Sequence, residues 1–201
     1  MHTSSILCLA GSLRKDSYNK KLIDYASRLV DEVDAKSTVI DLNDFELPIY
    51  NEDWETANGL HPNALKLKKL MAEHGGLIIA SPEYNSSITP VLKNVIDWIS
   101  RSSPGEVGLA SYKNKVAGII SASPGALGGL RGLYHLRDIL LNIGVLVYPN
   151  VVAIPKSFQA FDENNALADP HLNDSLKLLV EGVVNLTRAS DRSSLAPTNL
   201  S

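Results

Sequence analysis

Short, unbroken apolar runs alternate along this chain with stretches of helical period. Residues 6–10 read Ile-Leu-Cys-Leu-Ala and stop at Gly11. Similar runs lie at 38–40, 77–80, 116–120 and 145–147. Runs this short and continuous predict strands covered on both faces. Between them, Leu22, Ala26, Leu29 and Val33 share one helical face, widened by Ile23 and Val30. Leu92, Val95, Ile96 and Ile99 form a second such face, and Leu133, Leu136 and Leu140 a third. Leu172, Leu176, Leu179, Val180 and Val183 mark the last helix. A further helix is expected over 62–73, with Pro62 early, where its missing N–H does no harm.

The order is strand then helix, repeated five times. That alternation predicts an α/β fold, a doubly wound parallel sheet with right-handed crossovers and helices on both faces. The expected domain is 1–189; residues 190–201 are polar, carry Pro197 and lack periodicity, which predicts a loose tail. In such sheets ligands sit beyond the carboxyl ends of the strands. The stretches directly after each buried strand therefore carry the functional information.

After the first strand, Gly11 offers a sharp turn. Ser12, Ser17 and Asn19 offer short polar groups, and Arg14 and Lys15 offer charge. The helix that follows aims free N–H groups at the loop, so the segment fits a phosphate cradle. It also fits a plain polar turn with Ser17 or Asp16 as helix N-cap. A dinucleotide loop needs G-x-G-x-x-G and a P-loop its Gly-Lys-Ser/Thr ending; neither is present. After the third strand come Ser81, Pro82, Glu83, Tyr84 and Asn85. Pro82 stiffens the strand exit, and the amides of Glu83, Tyr84 and Asn85 are placed to face a flat heterocycle. Tyr84 offers an aromatic wall or a hydroxyl.

These two motifs, Gly-Ser-Leu-Arg-x-x-Ser-x-Asn (11–19) and Pro-Glu-Tyr-Asn followed by Leu-Lys-Asn-x-x-Asp-Trp (82–98), resemble the NADPH-dependent FMN reductases. That group is flavodoxin-like and includes quinone, azo-dye and chromate reductases; the resemblance runs in order from about Ile6 to Val147. It implies a five-stranded sheet of order 2-1-3-4-5 and non-covalently bound FMN. Ser12, Arg14, Ser17, Tyr18 and Asn19 would hold the phosphate. The backbone of Pro82, Glu83, Tyr84 and Asn85 would line the ring, with Ser121, Ala122 and Ser123 as a third contact. NADPH or NADH would give hydride to flavin N5, and a quinone, free flavin or similar acceptor would then collect the electrons by a ping-pong mechanism. The resemblance further implies a homodimer or homotetramer. Some relatives carry Pro-Gly-Gly where this chain has Thr89, Pro90 and Val91, a departure at the rim of the site.

Composition narrows the alternatives. The net charge of −3 leaves no basic footprint for nucleic acid. It also steers charged redox partners poorly, which weakens the competing reading of a non-enzymatic flavodoxin-type carrier. Apolar runs fall short of the roughly 20 residues of a membrane span, and the N-terminus lacks the basic region of a signal peptide, so a cytoplasmic enzyme is expected. One cysteine, Cys8, excludes an internal disulfide and is expected to be buried and inert. Trp98 is expected in the core, and His61 and His74 at the surface. His135 is a weak candidate proton donor. Residues 53–55 fall in a long loop, which in compact domains is often functional and which the resemblance places near a subunit contact or the mouth of the site.

Overall fold

The computed structural model describes residues 4–194. The elements are β1 (Ser5–Ala10), α1 (Tyr18–Glu32), β2 (Lys36–Ile40), α2 (Glu52–Asn58), α3 (Pro62–Glu73) and β3 (Gly76–Ala80). They continue with α4 (Pro90–Ser100), β4 (Val116–Ala122), α5 (Leu130–Asn142), β5 (Leu146–Val147), β6 (Val152–Ile154) and α6 (Pro170–Ser194). All strand pairs are parallel, in the order β2-β1-β3-β4-β5, with β6 also on β4. This is the expected flavodoxin-like topology.

Alternation along the strands divides the core in two. Ile6, Cys8 and Ala10 of β1 face α1 and α6, whereas Leu7 and Leu9 face α3, α4 and α5. β3 and β4 are buried along their whole length, as a sequence apolar throughout except for Ser121 requires. Gly118 lets α6 approach the sheet: a Cβ there would meet Leu179 Cδ2 at 2.7 Å.

Several expectations need correction. The fifth strand is split: β5 pairs with the start of β4 and β6 with its end. Pro149 lies in the gap, and a residue without an N–H cannot extend a ladder. α2 is a helix within the expected loop; Asn51 Oδ1 caps it and Gly59, at φ +76°, ends it. None of its residues is buried, so it leaves no apolar stripe to read. α6 continues through Ser194, past the expected domain end at 189; the rest of the expected tail lies outside the described residues. The two histidines are less exposed than expected. His74 is buried, bonded to the Leu70 carbonyl (2.7 Å) and Thr38 Oγ1 (2.8 Å). His61 is half-buried and caps α3 through Nδ1.

Cys8 and Trp98 are fully buried, as expected. Burial and, secondarily, the nearby Asp31 carboxylate push the Cys8 thiol pKa up to about 12.

Candidate functional site

The loops after β1, β3 and β4 meet at one end of the sheet, around a cleft of about 410 Å³ including the solvent at its mouth. Ser12, Arg14, Ser17, Tyr18 and Asn19 line one side. Pro82, Glu83 and Tyr84 line another, and Ala122, Ser123 and Pro124 the third. The predicted residues therefore converge, with two exceptions. Asn85 is exposed at a hairpin tip, and Ser121 is fully buried beneath α5. Pro124 joins the lining unforeseen.

The first loop is shaped by its serines. Ser12 Oγ accepts from Arg14 N–H (3.3 Å), and Ser17 Oγ caps α1 by accepting from Asn19 N–H (3.2 Å). Each hydroxyl thus uses an oxygen lone pair inside the loop and keeps its proton to donate elsewhere. The first turn of α1 carries no acidic residue, so its positive end is not neutralised from within. The N–H groups of Tyr18 and Lys20 have no partner inside the helix. The Arg14 side chain is exposed and makes no ion pair among the described residues. The tyrosine ring of Tyr18 lies parallel to Phe161 at 6.5 Å between centroids.

Gly11 has a different role from the one expected. Its φ is not left-handed; a Cβ there would meet Leu92 Cβ at 2.9 Å, so the glycine admits α4. Asn19 also departs from expectation. Its amide is buried and bridges both backbone groups of Ala122, donating to the carbonyl (2.8 Å) and accepting from the N–H (3.0 Å). It ties the first loop to the third, and beyond these two bonds the amide keeps one Nδ2 N–H.

The second loop is a tight hairpin. Tyr84 N–H donates to Ser87 O (2.9 Å) and Ser87 N–H donates back (3.0 Å). Asn85 (φ +51°) and Ser86 (φ +66°) are both left-handed, the pattern of a type I′ turn. The turn consumes the Tyr84 amide that was expected to face a ligand. The amides of Glu83 and Asn85 remain without partners among the described residues. The Tyr84 side chain is half exposed. Thr89 closes the loop by capping α4 and donating from Oγ1 to Gly11 O (2.7 Å). The departure at residues 89–91 thus places a tie between the first two loops.

The third loop needs its glycines. Gly128, at φ +61°, passes so near β6 that a Cβ would lie 2.8 Å from the Ala153 carbonyl carbon. Gly129, at φ +92°, is the N-cap of α5, and a side chain there would overlap Ser121 Oγ. Glu83 turns toward this helix. Its Oε1 accepts from Arg131 Nε (2.9 Å) and its Oε2 from Gly132 N–H (3.1 Å). Burial alone would raise its pKa, but these hydrogen bonds and the Arg131 charge hold the carboxyl below its ordinary range. His135 is exposed, outside the cleft, with Nδ1 3.0 Å from Ser87 Oγ.

A second hollow, of about 400 Å³, lies between α1 and β2. Its cation, Lys20, is paired with Asp41 at 2.5 Å, which leaves it no free donor set like that of the first.

Residues 4–159 match the pattern of the NADPH-dependent FMN reductases. The chain belongs to that family. An NAD(P)H-dependent FMN reductase of Pseudomonas aeruginosa is 38% identical over 167 residues, covering 82% of this chain and 84% of the relative. An NAD(P)H:quinone oxidoreductase of Solanum tuberosum is 34% identical over 180 residues, covering 86% and 87%. Among solved structures, a flavoenzyme NAD(P)H:(acceptor) oxidoreductase of Paracoccus denitrificans superposes with a TM-score of 0.79 at 27% identity, covering 94% of this chain and 99% of that one. As an FMN reductase family member the chain is an FMN-dependent NAD(P)H oxidoreductase. Among the described residues no helix is long and apolar enough to cross a membrane, and no cluster of three or more metal-ligating side chains occurs.

Proposed function

We propose that the cleft holds FMN, and that the chain passes electrons from NAD(P)H through it to a quinone or similar small acceptor. The observation that carries this reading is the convergence of the three strand-end loops around hydroxyl donors, a free guanidinium and the open N-terminus of α1. That donor set fits a phosphate monoester. The serine hydroxyls keep their protons free to donate, Arg14 supplies a bidentate cation, and α1 supplies aligned N–H groups. The chemistry of hydride acceptance and release belongs to the flavin.

The chain supplies placement. Ser12, Arg14, Ser17 and the start of α1 hold the phosphate end. The hairpin at 82–87 sets the wall against which the ring lies, with the amide of Glu83 as a donor and the half-exposed Tyr84 ring as one side. Ala122, Ser123 and Pro124 close the opposite wall. Asn19 keeps this wall in register with the phosphate loop. Use of the same open cleft by both substrates in turn supports a ping-pong reading.

The test begins with the purified chain. Uptake of FMN is followed by loss of free-flavin fluorescence. Anaerobic NADPH should then bleach the flavin band within the mixing time, and a quinone should restore it. Initial rates against both substrates should give parallel double-reciprocal lines. A chain that takes up no FMN, or whose bound flavin stays oxidised with either nucleotide for minutes, refutes the reading. Action in the cytoplasm, as a homodimer or homotetramer, belongs to the same proposal; size-exclusion chromatography tests the assembly.

A further inference from the structure

Glu83 stands in the middle of the second loop, yet its carboxylate serves another element. Its side chain is only 8% exposed, against 56% for its partner Arg131. Gly129 has no side chain with which to cap α5, and no local group replaces it. The cap comes instead from Glu83, across 49 positions, through the Gly132 N–H. One turn further along, His135 meets Ser87 Oγ at the far end of the same hairpin. The hairpin is therefore clasped at both ends by successive turns of α5. Close approach is built in: a Cβ on Gly132 would lie 3.1 Å from Ser87 O.

Two positive features, the Arg131 guanidinium and the N-terminus of α5, converge on a carboxylate that lines the cleft. Without Glu83 both would act on whatever occupies the cleft. Positive charge near a flavin favours its reduced, more negative form.

We propose that Glu83 is a positioning and potential-setting residue: it clasps the hairpin to α5 and cancels Arg131 and the helix end, holding the bound flavin at a lower midpoint potential. This deepens the FMN reading above and rests on it.

The test measures the midpoint potential of FMN-loaded wild type, Glu83→Gln, Arg131→Gln and the double variant, with the FMN dissociation constant of each. Glu83→Gln should move the potential positive, because Arg131 is left uncancelled. Arg131→Gln should move it negative, because the carboxylate is left unpaired. The double variant should return close to wild type. FMN affinity should weaken roughly three- to tenfold in Glu83→Gln, through the loosened hairpin. A purely structural clasp predicts weaker binding with unshifted potentials, and that result overturns the proposal, as do single-variant shifts of the same sign. Arg131 is largely exposed, so its variant reports even where Glu83→Gln folds poorly. A wild-type chain that binds no FMN removes the reading beneath the proposal and the proposal with it. FMN bound with unmoved potentials removes the proposal alone.

Discussion

At the scale of single residues, the proposed site separates groups placed to face FMN from groups that hold the frame. Arg14 belongs to the first kind: exposed, unpaired, beside the open end of α1. Arg14→Ala should weaken FMN binding by about 1.5–3 kcal/mol, the range for a hydrogen bond to a charged group, as read by fluorescence titration. Asn19 belongs to the second. Asn19→Asp keeps the shape but sets a carboxylate oxygen against the Ala122 carbonyl. It should destabilise the fold by about 1–3 kcal/mol in urea denaturation, even without FMN. If Asn19→Asp instead leaves stability intact and lowers only FMN affinity, its role is contact with the ligand. Both residues stand in one motif, and sequence alone assigned both to the phosphate. What separates them is a partner 103 positions away, which local pattern does not reveal. Partners 48 and 49 positions away hid the work of Glu83 in the same way. His74 was misplaced for a related reason: its polar type suggests exposure, while its two partners make burial acceptable.

At the scale of elements, the strands and most helices were legible because their burial pattern is regular. The apolar runs at 6–10, 77–80 and 116–120 become β1, β3 and β4. The misses lie where the signal is a cap or a breaker. Asn51 and Gly59 bracket α2 with helix-start and helix-stop chemistry, though no periodicity lies between them. Pro149 announces the break between β5 and β6. The hairpin at 84–87 is a third instance: a type I′ turn favours Asn-Gly, and this chain has Asn85-Ser86. Ser86 bears a left-handed φ of +66° at a cost that glycine avoids. Ser86→Gly should stabilise the fold by up to about 1 kcal/mol, because relief of strain outweighs the extra freedom of the unfolded chain. A shift of the urea midpoint to higher concentration, with unchanged slope, is the expected result; a lower midpoint would mean that serine makes contacts worth more than the strain.

At the scale of the whole molecule, acid stability follows from a few carboxylates. In Glu83, burial opposes ionisation but Arg131 and Gly132 win; in Asp41, burial again opposes it and Lys20 and Asn43 win. In Glu106 the hydrogen bonds from Lys68 and Ser103 dominate outright. All three are held below their ordinary range. A carboxyl depressed in the folded state contributes stability that is present above its unfolded pKa and lost as pH falls through the folded value. Asp24 runs the other way: burial raises it, so its protonation on acidification favours the fold. With three groups against one, stability should fall on going from neutral pH to about pH 3. Replacing Glu83, Asp41 and Glu106 by their amides should flatten that fall, as measured by urea midpoints at both ends. An equally steep loss in the triple variant would place the acid sensitivity elsewhere.

The single thiol of Cys8 lies in β1 between two helical layers, with no surface of its own. Any chain that presents this sulfur to a labelling reagent has opened its central sheet. A covalently linked pair on a non-reducing gel therefore counts denatured copies, and the protein carries within itself a chemical gauge of its own integrity during storage in air.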